Sequence, residues 1–188
     1  MSLEVEMKAH VRKDQLEEIK NRLSQIADYI GTVEKHDIYW STDSEEELLF
    51  RTRLQILGDK KEVLFTRKPV KKLEETEINE EIEFTSNIEN WDEIQKFFLN
   101  LGYVIGLKKV KEGWEYLSQV NGIEIHIELM NVNNLGYFFE AEITFKERND
   151  SYIKLCQKAL FDLFEKLGLT QSIERKSYRK MIKDSIKQ

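Results

Sequence analysis

Charged and apolar residues alternate along this chain with a period of two, and three of the alternating runs carry a pair of carboxylates. They are Glu4/Glu6 in Leu3-Glu-Val-Glu-Met-Lys8, Glu81/Glu83 beside Ile82 and Phe84, and Glu140/Glu142 beside Phe139, Ala141 and Ile143. Successive side chains of a strand point to opposite faces, so each run has one apolar and one ionised face. Arg51 and Arg53 alternate in the same way with Phe50, Thr52, Leu54 and Ile56. Glu62, Leu64, Thr66 and Lys68 share a face of the next candidate strand, and Lys109 and Lys111 share another. Glu124, His126, Glu128 and Met130 alternate with Ile123, Ile125, Ile127 and Leu129.

Helical spacing of three and four interrupts the strands. It predicts helices over 14–30, 90–101 and 152–167, closed by Gly31, Gly102 and Gly168, with a weaker one over 178–186. Asp14 and Glu17 have the spacing of a capping box. Each Glu-x-Glu strand is followed by a helix ending near a glycine, a loose internal recurrence. Strands outnumber helices and the connections are short, so the pattern predicts an α+β fold with a large antiparallel sheet and helices packed outside.

The 188 residues hold one proline and no Gly/Ser-rich stretch, so residues 1–188 are expected to form a single domain. Charged residues make up 34% of the chain, with both signs interspersed and a net charge of −6. That balance points away from nucleic acid and from membrane surfaces as partners. No apolar run approaches the roughly 18 residues of a membrane span, and the N-terminus lacks the apolar core of a signal peptide. The single Cys156 allows no internal disulfide and no cysteine-based zinc site, so a cytoplasmic location is expected.

The charged faces have two readings. One is an ordinary solvated face with cross-strand ion pairs, each worth about 0–1 kcal/mol. The other is the lining of a closed barrel, where bases and acids together cannot pack dry and instead await a ligand. A polyphosphate with divalent cations satisfies both signs. His126, among carboxylates, is either a metal ligand or an ion-paired structural residue. Tyr39 and Trp114 either flank a nucleobase or pack between strands; Trp91, Phe97 and Phe98 suit helix-to-sheet packing. Asp43 to Glu47 reads as a solvated loop, and Cys156 as core.

In order along the chain, Glu4-Val-Glu-Met-Lys8, His36-Asp-Ile-Tyr-Trp40, Leu49-Phe-Arg-Thr-Arg53, Thr66-Arg-Lys68, Glu81-Ile-Glu83, Lys109-Val-Lys111, Leu135-Gly-Tyr-Phe-Phe-Glu-Ala-Glu142 and Lys176-Ser-Tyr178 resemble the signature elements of the CYTH domain, or triphosphate tunnel metalloenzymes. That superfamily includes class IV adenylate cyclases, thiamine triphosphatases and inorganic triphosphatases. The resemblance implies a closed, eight-stranded antiparallel β-barrel. It implies a metal set of Glu4, Glu6, Glu81, Glu83, Glu140 and Glu142 holding Mg2+ or Mn2+, with Glu81 and Glu83 alternatively positioning the bases. Lys8, Arg51, Arg53, Lys68, Lys109, Lys111 and Lys176 are implied to grip the triphosphate, and Glu4, Glu6, Lys8, Glu140 and Glu142 to form the catalytic set.

The full-length match favours a cyclase making cyclic AMP and pyrophosphate from ATP. A triphosphatase and a non-catalytic nucleotide- or polyphosphate-binding module are the rivals, and the family allows a homodimer. Lys111 stands where arginine is usual. The acidic position before the Leu-Gly turn falls on Met130, or on Glu128 if the loop is two residues longer.

Overall fold

A computed structural model describes residues 2–42, 48–67, 70–73 and 76–186. It contains nine strands: β1 (Ser2–Val11), β2 (Ala27–Ser41), β3 (Phe50–Leu57), β4 (Lys60–Arg67), β5 (Val70–Leu73), β6 (Thr76–Ser86), β7 (Val104–Val120), β8 (Ile123–Val132) and β9 (Gly136–Phe145). Four α-helices accompany them: α1 (Leu16–Leu23), α2 (Trp91–Asn100), α3 (Asp150–Leu167) and α4 (Tyr178–Ile186). Lys68, Pro69 and the acidic stretch 43–47 lie outside the described residues, as do the side chains of 70–73 and 76–81.

The strands form one antiparallel sheet in the order β1-β9-β8-β7-β2-β3-β4-β6-β5, which curls until β1 also meets β6. This corrects the expected closed, eight-stranded barrel. The sheet has nine strands and does not close into a complete wall. β1 and β6 pair only where Ser2–Glu6 face Glu77–Glu81, at one end of each strand. Beyond Glu81, β6 runs past the start of β1 and keeps only β4 as a partner among the described residues. The α+β class and the outer helices stand.

The core lies between the convex face of one half of the sheet and helices α1 and α3. Val5, Met7 and Ala9 of β1, the odd-numbered Ile123, Ile125, Ile127 and Leu129 of β8, and Phe139, Ala141 and Ile143 of β9 are buried there. From α3 they meet Ile153, Cys156, Leu160, Leu163, Phe164 and Leu167. Asn149 caps α3 by accepting from the Ser151 and Tyr152 amides, and Gly168 ends it at φ +72°, where a Cβ would be strained. Leu155, although its helical spacing fits this stripe, is 46% exposed. Over the other half α2 sets Phe98 against Trp40, Phe50 and Phe65, while Ile82 and Phe84 of β6 remain exposed.

The first helix is shorter than its periodicity predicts. It stops at Leu23, and the chain is already in β2 by Ala27. Tyr29, Ile30, Thr32 and Val33 favour extended backbone, and pairing of β2 with both β3 and β7 outweighs the helical spacing of Ile26 and Ile30. The Asp14/Glu17 capping box does not form either. The Arg12 amide donates to Gln15, while Asp14 pairs with the Arg12 guanidinium.

Two glycines set the long β7–β8 ladder. Asn121 and Gly122 both have positive φ and make its two-residue turn. Gly113 lies opposite Met130, and a Cβ there would fall 2.1 Å from the Leu129 carbonyl oxygen. We therefore expect Gly113→Ala to destabilise the fold by about 1–3 kcal/mol, read as a lower midpoint of denaturant unfolding.

Candidate functional site

Register, more than sequence distance, brings the ionised residues together. β1 pairs with β9 so that Glu6 stands opposite Glu142 and Lys8 opposite Glu140. β9 pairs with β8 so that Glu142 faces His126 and Glu140 faces Glu128, and β7 adds Glu115 opposite Glu128. On the other flank Asp37 of β2 stands between Arg53 of β3 and Lys109 of β7. Directly opposed residues share a face, so all of these side chains project to the concave side. All but the buried Asp37 line a cavity of about 410 Å³.

Two buried carboxylates organise the bases. Asp37 accepts from Arg53 Nε at 2.6 Å and Nη2 at 3.1 Å, and Lys109 Nζ lies 3.0 Å away. Burial alone would raise the Asp37 pKa, but Arg53, Lys109 and Arg51 hold it well below the usual 3.8. Glu128 takes the ammonium of Lys35 and, at 2.6 Å, that of Lys111. Burial opposes its charge too, and Lys111, Lys35 and Arg53 together keep its pKa well below the ordinary value. Lys111 also donates to Glu140 at 2.7 Å. Burial pushes the Glu140 carboxyl up, and the Lys111 ammonium reverses this, holding its pKa at about 2.

A separate group of carboxylates occupies the β1–β9 wall. Glu4, Glu6 and Glu142 each offer an oxygen within 4.8 Å of the others. Three hard oxygen donors at that spacing suit a hard divalent cation. Lys8 Nζ lies 3.7 Å from Glu6. Nearby, the His126 Nε2 bonds Glu115, and burial's pull on the imidazolium is outweighed by Glu115, Glu142 and Glu128, which raise its pKa.

Tyr178, at the start of α4, closes one side of the cavity. Its ring centroid lies 5.6, 4.9 and 5.2 Å from the ammonium groups of Lys8, Lys109 and Lys111. Burial, with the carboxylates of Glu140 and Glu128 nearby, raises the Tyr178 pKa well above 10. Met181 and Ile182 anchor α4 against Val132, Phe138, Tyr39 and Leu107.

Of the sequence-derived residues, Glu4, Glu6, Lys8, Arg51, Arg53, Lys109, Lys111, Glu83, Glu140 and Glu142 all line the cavity. They are not one cluster. Glu140 is engaged by Lys111 and lies outside the carboxylate trio. Glu83 accepts from Thr66 at 2.7 Å and lies 3.8 Å from Arg51, so it is placed to position a base, away from the trio. The register explains this: Glu81 is opposite Ser2, so the Glu81/Glu83 pair lies beyond Glu4 and Glu6 along the sheet. Lys176 does not line the cavity; it is half-exposed and bonds Asp184 at 3.1 Å. Trp114 lies outside the cavity beneath Lys20, 3.4 Å from its ring centroid. Lys68 and the Glu81 side chain are beyond the described residues. Of the two residues weighed for the acidic position before the Leu-Gly turn, Glu128 lines the cavity, while Met130 is buried and does not.

Sequence reasoning gave no site role to Lys35, Glu115, Tyr178 or Arg179, which also line the cavity. The signal for two of them was present. Lys35 precedes Asp37 and Tyr39 at the same period of two, and Glu115 continues the face of Lys109 and Lys111 through Gly113.

The curled antiparallel sheet thus carries clustered carboxylates and buried bases on its concave face. The sequence model of the CYTH domain matches residues 2–180, and the chain belongs to that family. No curated protein matches the chain by sequence. Among solved structures it is similar to the PH1819 protein from Pyrococcus horikoshii OT3, at 24% identity and TM-score 0.78, over 97% of this chain and 99% of that one. A candidate adenylate cyclase from Vibrio parahaemolyticus aligns at 18% identity and TM-score 0.69, over 96% and 98%. HpAC1 from Hippeastrum, a candidate adenylyl cyclase with a dominant triphosphatase activity, aligns at 14% identity and TM-score 0.64, over 98% and 96%. At such identities these likenesses establish the fold. No helix among the described residues is long and apolar enough to cross a membrane.

Asp37 yields two predictions. Asp37→Asn leaves Arg53 and Lys109 buried beside a neutral amide, and should cost about 3–5 kcal/mol of unfolding free energy. In the parent protein the native Asp37 pKa is depressed, so its contribution is complete above the ordinary carboxylate value of 3.8 and is lost as pH falls below it. A pH series of chemical denaturation should show stability falling below pH 4, and less steeply in the variant.

Proposed function

We propose that the chain is a divalent-metal-dependent enzyme acting on a triphosphate, with ATP cyclisation to cyclic AMP and pyrophosphate as its reaction. The observation that carries this reading is the division of the cavity: a carboxylate trio on the β1–β9 wall faces bases held on β2, β3 and β7. Glu4, Glu6 and Glu142 would hold Mg2+ or Mn2+. Lys8, Arg51, Arg53, Lys109 and Lys111 would receive phosphate oxygens, with Arg179 at the margin. When bound, the cation neutralises charge on the phosphates and on the leaving pyrophosphate.

Asp37, Glu128 and Glu140 fix the bases before substrate arrives, so little reorganisation is needed as charge develops. In cyclisation the ribose 3′-oxygen forms a bond to the α-phosphorus as its proton passes to solvent water. The α–β bridging bond breaks, and its electron pair leaves with pyrophosphate. The cavity's role is to bring the oxygen and phosphorus into line. Tyr39, Leu48, Leu49, Phe50 and Leu64 form an apolar part of the lining beside Arg51. That lining favours a nucleoside triphosphate over bare inorganic triphosphate, since a nucleoside has apolar surface to cover there.

Triphosphate hydrolysis is the second reading, supported by the dominant triphosphatase activity of the structurally similar HpAC1. In it, water forms the bond to the terminal phosphorus and loses its proton to solvent, while the β–γ bridging bond breaks and its electron pair leaves with the diphosphate product. The test is a product assay with Mg2+ or Mn2+ and, separately, ATP, thiamine triphosphate and inorganic triphosphate. Cyclic AMP with pyrophosphate is expected; orthophosphate would replace the cyclase reading with the hydrolase, and tight binding without turnover would leave only a binding module. Glu4→Gln or Glu6→Gln should lower turnover at least about a hundredfold with an unchanged circular dichroism spectrum. Full activity in both variants would remove the metal assignment.

A further inference from the structure

One carboxylate of the trio, Glu142, has a nitrogen neighbour. His126 of β8 stands opposite Glu142 of β9, and its Nδ1 lies 3.5 Å from Glu142 Oε1. Its other ring nitrogen, Nε2, bonds Glu115. The Glu115 side chain is about nine-tenths buried, so it holds the ring with little freedom. Both Glu115 Oε2 and His126 Nδ1 are buried without a hydrogen-bond partner.

A purely structural histidine accounts for the bond to Glu115, while toward Glu142 Nδ1 makes a 3.5 Å ion pair and no hydrogen bond. A buried ring nitrogen facing a carboxylate normally makes a hydrogen bond, because leaving it unpaired costs free energy. Here the two atoms lie side by side at a separation too long for a good bond. The distance suits another arrangement. Two donors bound to one cation at about 2.1 Å stand about 3.0 Å apart at a right angle and about 3.4 Å apart at a tetrahedral angle. A metal-bound histidine characteristically donates its remote N–H to a carboxylate, which fixes the tautomer and turns the free lone pair toward the ion. Glu115 stands in that relation to His126.

We propose that His126 supplies a nitrogen ligand through Nδ1 to the divalent-cation site of Glu4, Glu6 and Glu142, with Glu115 as the residue that orients it. This inference rests on the metal reading above and specifies the ligand set. Three carboxylate oxygens alone favour hard ions such as Mg2+. Addition of an imidazole shifts preference toward Mn2+, Co2+, Ni2+ and Zn2+ along the usual order of affinities.

The test uses the full chain without nucleotide. Mn2+-loaded protein is examined by pulsed electron paramagnetic resonance for 14N coupling, and Co2+ and Mg2+ affinities are measured by calorimetry. The wild type should show nitrogen coupling. His126→Gln should abolish the coupling and weaken Co2+ about tenfold or more, with Mg2+ affinity changed less than about twofold. Glu115→Gln should keep the coupling and weaken Co2+ about tenfold. Thermal unfolding of each variant reports whether it folds, and the wild-type spectrum decides the question even if a variant does not. Mn2+ bound at the carboxylates without nitrogen coupling would overturn this inference and leave the metal reading standing. Failure of the wild type to bind any divalent ion would overturn both.

Discussion

Every base on the concave face needs a counter-charge before the sheet can curl around it, and two carboxylates supply most of that. Asp37 joins Arg53 to Lys109, and Glu128 joins Lys35 to Lys111. Burying any of these cations unpaired would cost several kcal/mol, comparable to much of a domain's net stability. The pairs therefore make the cavity compatible with folding and hold the bases in place for an anion. The opposite wall carries the converse problem. Glu4, Glu6 and Glu142 bring three carboxylates together, with the Lys8 ammonium 3.7 Å from Glu6.

The sheet's topology separates these two groups. β1 lies between β9 and the far end of β6, so its Glu4 and Glu6 gather with Glu142, while β2 lies between β3 and β7 and gathers bases around Asp37. The same alternation that points the charged residues inward sends Val5, Met7, Ala9 and Ile127 outward beneath α1 and α3. Tyr178 offers an aromatic ring to three ammonium groups, a contact that favours their charge without adding another titrating anion at neutral pH.

The period-two pattern made the sheet and most of the cavity legible, because a strand's two faces follow directly from spacing, and the spacing of three and four did the same for the helix over 152–167. Register was not legible in that way. Glu81/Glu83 looks like Glu4/Glu6 in sequence, and only the pairing of Glu81 with Ser2 shows that it falls elsewhere. Lys176 matched a motif, yet it lies before α4 and bonds Asp184 on that helix. The first helix was overextended because Ile26 and Ile30 fit helical spacing, while the long-range pairing of β2 is invisible locally. Lys35 and Glu115 lay on readable charged faces, but their value depends on Glu128 and His126, 93 and 11 residues away.

The pairing of β1 with β9 carries a consequence for how this molecule can fail. A shift of the first strand by one position would drive Glu4 and Glu6 into the oily layer under α3 and bring Val5 and Met7 among the lysines. Misaligned chains are thus penalised twice, once by each face. Folding quality control and chemical competence are enforced by the same ten residues, and a substitution that loosens the one must erode the other.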